Sequence, residues 1–408
     1  MKKILFLFFV ASLMLAACDS SDEPNNGKWT LTKDIDLSLN DIETVDGLND
    51  FSYSMMKEAA AMAEDGDFCV SPLSMSMYLS MFANASNGEI RQEILNALNA
   101  NDVASLNSLN EKLLHYLPYE ENGSALLINN RFWLSNRFKV SSDFKSTVGN
   151  VFNAGVESVN FTNSNTVPAI NRWISDKTNG MIQSFLDKDW DYYMGCVQIS
   201  ANTVYFKGNW SSRFSERNTV SEVFHGSKGD AEVNMMHQQI TANYAQNENF
   251  QYVRKDFKGT NVMELYLPAE GITVDQILSL LTPETIDLLR NNEEKYEVTL
   301  SLPSFKTSYT LDTNEVMPRL GIGSFLSVDL SPMGITEMSK VEFIHKTSFK
   351  IDEDGAELAA VSGSSGLVTS TPDFSEKEVA VEFNRPFVYI IRNQNTNAIL
   401  MAGVVANP

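Results

Sequence analysis

The sequence predicts one large domain of mixed helix and strand, α+β in class, and three observations carry that reading. Apolar residues recur at helical spacing in several segments of the first third of the chain. Runs rich in β-branched and aromatic residues, which read as strands, are spread along the remainder. Beyond the N-terminal segment, no repeat, heptad run or linker-like stretch divides the 408 residues.

The N-terminus stands apart. Residues 1–17 begin Met-Lys-Lys, continue as an apolar run from Ile4 to Met14, and end in small residues. A basic start, an apolar core too short to span a bilayer comfortably and small residues before the cut make a secretory signal. Leu15-Ala16-Ala17-Cys18 resembles a bacterial lipoprotein box, in which Cys18 becomes the lipidated first residue. One cysteine bearing several acyl chains anchors an otherwise soluble domain. Residues 18–39 then read as a lipidated N-terminus and polar tether, and 40–408 as the folded domain. The expected location is the bacterial cell envelope, in the periplasm or on the cell surface, with the lipid anchor as the only membrane attachment.

Composition excludes some functions. The chain is 43% apolar, ample for a large core. Losing Lys2 and Lys3 with the leader takes the formal charge from −21 to −23, and so acidic a surface argues against nucleic acid as a partner. Cys69 and Cys196 lie inside apolar strand-like runs and read as buried thiols rather than a disulfide. The four histidines, His115, His225, His237 and His345, show no metal-ligand spacing, so no metal or cofactor is expected.

Taken in order, 47–64 carries a helical stripe through Phe51, Met55, Met56, Ala59 and Met62. Asp67–Val70 is a short strand stopped by Ser71-Pro72, and Leu73–Ala83, apolar nearly all round, is a buried helix. Ile90–Leu98 and 103–117 are amphipathic helices. Leu126–Leu134 reads as a strand, and 167–186 as a helical hairpin broken at Asn179-Gly180. Gly195–Lys207 is a long β-branched and aromatic run, a central strand. Further strands are expected at 261–267, 296–302, 341–351, 379–391 and 398–405.

Between the 341–351 and 379–391 runs lies Glu353–Pro372, twenty mostly small and polar residues with three glycines. Such a stretch reads as a surface loop. It also reads as a strand, because Ala356, Leu358, Ala360, Ser362 and Ser364 are uncharged at alternate positions while Glu357 falls in the other set. A segment that can be either is a candidate switch.

Eight stretches in order then carry a resemblance. They are Phe-Cys-Val-Ser-Pro-Leu-Ser at 68–74, Asn-Gly-Glu-Ile-Arg-Gln-Glu-Ile-Leu at 87–95, and Ile-Asn-Arg-Trp-Ile-Ser-Asp-Lys-Thr-Asn-Gly-Met-Ile at 170–182. Asn-Thr-Val-Tyr-Phe-Lys-Gly-Asn-Trp at 202–210, Val-Asn-Met-Met at 233–236 and Leu-Pro-Ser-Phe at 302–305 follow. Ile-His-Lys-Thr at 344–347 and Asn-Arg-Pro-Phe-Val at 384–388 complete the set, before Met-Ala-Gly-Val-Val-Ala-Asn-Pro at the end. Over about residues 40–408 the chain resembles a serpin. The resemblance implies three β-sheets, about nine helices and an exposed reactive-centre loop. It also implies a suicide inhibitor that traps the acyl-enzyme by inserting the cleaved loop as a strand of the main sheet.

Residue by residue, the resemblance makes Glu353, Gly355, Ala356, Glu357, Leu358, Ala359 and Ala360 the hinge. Ala356 becomes the first inward-facing insertion position, and Leu358 stands where alanine is usual. Counting sixteen residues from Glu353 places the reactive bond at Thr369-Ser370, beside Leu367 and Val368. No Lys or Arg occurs from Ile351 to Glu376, so the bait suits elastase-, subtilisin- or papain-like proteases. Ser71, Ser74, Asn202 and His345 match a polar shutter under the sheet. Trp210 matches the breach, with Trp210 and Asn202 expected at the ends of the strand flanking the insertion gap. The 103–117 helix, with Lys112 against Asp102 and Glu111, should bind no heparin, and the protein is expected to be a monomer. An enzyme is not expected: Gly363-Ser364-Ser365-Gly366 lacks the middle residue of a nucleophile elbow. The alternative is a non-inhibitory serpin-fold binding or scaffold protein on the cell envelope.

Overall fold

The computed structural model describes residues 34–323, 329–335, 340–356 and 377–408. Cys18, Glu357 to Ala360 and Leu367 to Ser370 therefore lie outside the described residues.

Nine α-helices occur among the described residues. α1 (Leu39–Met62) starts with a capping box, Ser38 and Asp41 bonding reciprocally. α2 (Pro72–Ala85) is buried along almost its whole length, with Ser71 as N-cap and Pro72 in the first turn. α3 (Glu89–Ala97), α4 (Val103–Tyr116) and α5 (Ser142–Phe152) follow. Then come α6 (Thr166–Lys177), α7 (Val274–Leu280), α8 (Pro283–Asn291) and α9 (Thr313–Arg319). None is long and apolar enough to cross a membrane. The expected hairpin over 167–186 is corrected to one helix. α6 stops at Lys177, and Asn179 and Gly180 take left-handed φ values of 49° and 82° that end it without starting another.

In chain order the strands are β1 (Phe68–Val70), β2 (Tyr119–Glu121), β3 (Ser124–Ser135), β4 (Gly155–Val159) and β5 (Cys196–Asn209). Next are β6 (Thr219–Gly226), β7 (Gly229–Gln246), β8 (Phe250–Asp256), β9 (Asn261–Pro268), β10 (Glu294–Pro303) and β11 (Phe305–Leu311). β12 (Lys340–Phe343), β13 (His345–Ile351), β14 (Gly355–Ala356), β15 (Glu378–Glu382), β16 (Phe387–Asn393) and β17 (Ile399–Val405) complete them. One sheet has nine strands, in the order β1-β17-β16-β9-β8-β7-β10-β15 with β6 on β7. The other has eight, in the order β11-β13-β14-β5-β3-β2, with β12 on β5 and β4 on β3. The three expected sheets thus appear as two hydrogen-bonded networks, the larger kept continuous by the 18-residue β7.

Two expected strands are each two. The 379–391 run divides into β15 and β16, because Pro386 has no N–H to give a ladder. The 341–351 run divides at Ile344: β12 lies parallel to β5, whereas β13 pairs with β11. α2 packs beneath the eight-stranded sheet, and Tyr78 stacks on Phe343 with ring centroids 3.6 Å apart. Cys69 and Cys196 are buried thiols outside any disulfide, as expected, and burial pushes the Cys69 thiol up to about 12.

Candidate functional site

The site is a split in the eight-stranded sheet. On its outer side β5 is paired with β3 from Gln198 to Lys207. On its inner side it pairs with β12 as far as Ser200, opposite Phe343, and again with β14 at Gly208 and Asn209. Among the described residues, 201–206 have no ladder partner on that side. β13 shows the complementary edge: it pairs with β11 throughout and with β14 only at Ile351. A narrow cavity separates the two edges, lined by Asn202 to Tyr205 on one side and by Lys346 to Ser348 on the other.

The mouth of the split holds β14. Ala356 is 1% exposed and pairs with both Ile351 and Gly208. Gly355 is required beside it, because a Cβ there would run into the Gly208 carbonyl. Ala356 was expected to enter on insertion; in the uncleaved chain it is already in the sheet. Its backbone bridges β13 and β5 at the mouth, and its methyl group is small enough to be buried there. The next position of the same alternation is Leu358.

A tight turn leads into β14 and is clamped from one side. Trp210 donates its backbone N–H to the Asp354 carbonyl at 2.9 Å and its indole Nε1–H to the Asp352 carbonyl at 3.0 Å. Phe214 N–H donates to the Glu353 carbonyl at 3.1 Å, and the Thr219 hydroxyl to Glu353 Oε1 at 2.7 Å. Arg213 pairs with Asp354 at 3.0 Å. Trp210 is itself fixed by stacking on Phe257, centroids 4.3 Å apart and 6° from parallel. Sequence reasoning singled out Trp210 and Glu353 but missed Arg213, Phe214 and Thr219, whose roles arise only where the chain folds back over the turn.

Beneath the split, all four expected shutter residues meet. His345 Nε2 accepts from Ser71 N–H at 3.1 Å, and the Ser71 hydroxyl donates to the Leu400 carbonyl at 2.7 Å. Ser74 N–H donates to Ser71 Oγ, and the Ser74 hydroxyl to the Asn202 carbonyl, both at 3.3 Å. Asn202 Nδ2 donates to Asn130 Oδ1 at 2.5 Å, an extension the sequence did not reveal. Asn202 sits in the middle of β5, so its expected place at the strand end is corrected; Trp210 does follow the strand directly. Burial of His345, 3% exposed, pushes its imidazole down to about 4, so it is neutral and able to accept. The hydrogen bond from Ser71 ties His345 to the N-terminus of α2 at the point where the ladder changes partner, β12 lying on β5 and β13 on β11.

The segment after α6 lies across the split and is bonded on both sides. Asn179 Nδ2 donates to Tyr205 Oη on β5 at 3.3 Å, while Lys346 Nζ on β13 donates to the Ser184 carbonyl at 2.7 Å. On α4, Lys112 is engaged by the buried carboxylate of Asp41, leaving the helix without a basic face. A sheet split, with a tethered strand end in its mouth and a bonded polar latch below, can accept a further strand.

The comparisons agree with this geometry. Residues 46–408 match the family model described as serpin (serine protease inhibitor). Neuroserpin from Homo sapiens is 26% identical over 380 residues, spanning 89% of this chain and 91% of that protein. The native thermophilic serpin tengpin superposes with a TM-score of 0.80 at 28% identity, covering 93% of this chain and 97% of its own. Human thyroxine-binding globulin in complex with thyroxine superposes at 0.79 over 90% and 99%, and its 22% identity speaks for the fold alone. With its family model matched over nearly the whole domain and its main sheet split beside a tethered strand end, the chain belongs to the serpin family.

Proposed function

We propose that the protein is a suicide inhibitor of proteases that traps its target by strand insertion. The observation that carries the reading is the edge of β5 over residues 201–206, which has no ladder partner on the β13 side among the described residues, with Ala356 seated at the entrance. A target serine attacks the Thr369 carbonyl, the Thr369–Ser370 peptide bond breaks, and the Ser370 amine leaves with a proton. The acyl-enzyme is thereby joined to a loop whose other end is already in the sheet. Residues 357–363 then continue antiparallel to both neighbours. Seven residues with two backbone groups each make about 14 hydrogen bonds, worth on the order of 14 kcal/mol. A protease domain is stable by about 5–15 kcal/mol, so insertion has enough free energy to distort the attached enzyme.

The lack of basic residues in the loop favours targets that accept Leu367, Val368 and Thr369: elastase-, subtilisin- or papain-like enzymes. The lipoprotein box ending at Cys18 favours a lipid-anchored location on the bacterial cell envelope, and the reading takes the inhibitor as a monomer with no cofactor, nucleic acid or heparin partner. Leu358 favours a second reading, a non-inhibitory binding or scaffold protein, because a leucine is harder than an alanine to seat between closely spaced strands. Incubation of the mature domain with the three protease classes separates the two. The inhibitory reading expects a covalent complex that survives SDS; clean cleavage by every enzyme would favour the scaffold.

A further inference from the structure

Lys255, on β8, is buried without a carboxylate bonded to it. It is 2% exposed, and its Nζ donates to the Ser212 carbonyl at 2.9 Å and to Gln238 Oε1 at 2.7 Å. The same nitrogen lies 5.0 Å from the centroid of the Trp210 ring and 4.4 Å from that of Phe214. Those are the two residues whose backbone N–H groups hold Asp354 and Glu353. We infer that Lys255 is a positioning residue for loop entry: its amine sets how firmly Trp210 and Phe214 hold the turn, and the hold is firmer when the amine is neutral. The consequence for trapping rests on the proposed inhibitory function; the effect on the clamp does not.

Two oxygen acceptors and two ring faces hold the amine away from water, and a charged amine loses more hydration there than those contacts return, so its charge favours release of the rings. Burial pushes the amine down to about 7, against a weaker upward influence of Asp256, so the change of charge falls near neutral pH. The other charged groups around it are engaged. Arg254 on β8 pairs with Glu293 and Asp256, Arg213 with Asp354, and Lys350 with Asp352. Glu353 accepts from Thr219, and on β7 His237 bonds Glu222 and Ser301.

Amide exchange at Trp210 and Phe214 in the intact mature protein reads the clamp directly. Wild type, Lys255→Met and Lys255→Arg are compared at pH 6 and pH 8, and the ratio to Lys255→Met removes the intrinsic pH dependence of exchange. Wild type should open roughly tenfold more, relative to Lys255→Met, at pH 6 than at pH 8. Lys255→Arg should behave at both pH values as wild type does at pH 6. Should the arginine variant not fold, melting temperatures suffice: intact Lys255→Met should melt above wild type at pH 6, with the gap closing by pH 9. A depressed amine costs stability below its folded value, and the cost is relieved as pH rises toward its ordinary one. If the exchange ratio is the same at both pH values, the inference is overturned; a pH effect that persists in Lys255→Met belongs to another group, such as His237. A pH-dependent clamp in a protein that traps no protease would instead sink the inhibitory reading.

Discussion

Substituting Ala356→Arg tests the hinge at its most constrained point. An arginine that kept the place of Ala356 between Ile351 and Gly208 would leave an unpaired guanidinium buried, at about 3–5 kcal/mol. Expelling the two residues of β14 instead forfeits a few ladder hydrogen bonds and one buried methyl group, about 2–3 kcal/mol. The smaller cost wins, so the intact variant should stay folded with β14 out of the sheet. At roughly 2 °C per kcal/mol for a chain of this size, its melting temperature should fall by about 5 °C. Cleavage then separates the two proteins further. Cleaved wild type should gain a large rise in melting temperature from the inserted strand, and cleaved variant much less, because its arginine must again pass the mouth. On mixing with a target protease the variant should be cleaved as a substrate. Thermal denaturation of the intact and cleaved forms, with the stoichiometry of inhibition, measures all of this. A variant that melts with wild type in both forms and traps protease equally well would refute the placement of Ala356.

Two further outcomes are expected. His345 is neutral when folded, with its value depressed to about 4, so the unfolded chain binds the extra proton between about pH 4 and 6.5. Stability from this group is complete above about 6.5 and lost as pH falls through 4, about 3 kcal/mol in all at roughly 1.4 kcal/mol per unit. Urea denaturation from pH 4 to 7 should show that slope, and His345→Gln should flatten it. Cys18→Ser should move the protein from the membrane to the soluble fraction and abolish lipid labelling; unchanged partition would remove the anchor from the account.

What the sequence disclosed, and what it hid, follows the range of the interactions. β5 was legible because its β-branched and aromatic run is a local property, and α2 because nearly every residue in it is apolar. The shutter residues were legible through three short stretches, Ser71-Pro72-Leu73-Ser74, 202–210 with Asn202 at its head, and Ile344-His345-Lys346-Thr347, that the resemblance fixed. The split was not. Residues 341–351 have uniform strand character, yet the ladder changes partner at Ile344, next to His345, which is bonded by Ser71, 274 positions away. The clamp was hidden for the same reason. Arg213, Phe214 and Thr219 lie in a polar stretch that reads as an exposed turn, and their partners arrive from Glu353 and Asp354, more than 130 residues later. Lys255, between Arg254 and Asp256, reads locally as one of three solvated charges. Only the packing of Trp210 and Phe214 over it removes it from water.

Amide hydrogen exchange along β5 and β13, before and after cleavage of the loop, tests the central claim most directly. The account predicts that the amides of residues 201–206 and 345–350 facing the split exchange readily in the intact protein and become strongly protected once the loop is cut. The β3-facing amides of β5 should change little. Unchanged exchange at both edges after cleavage would contradict it, because no strand would then have entered between them.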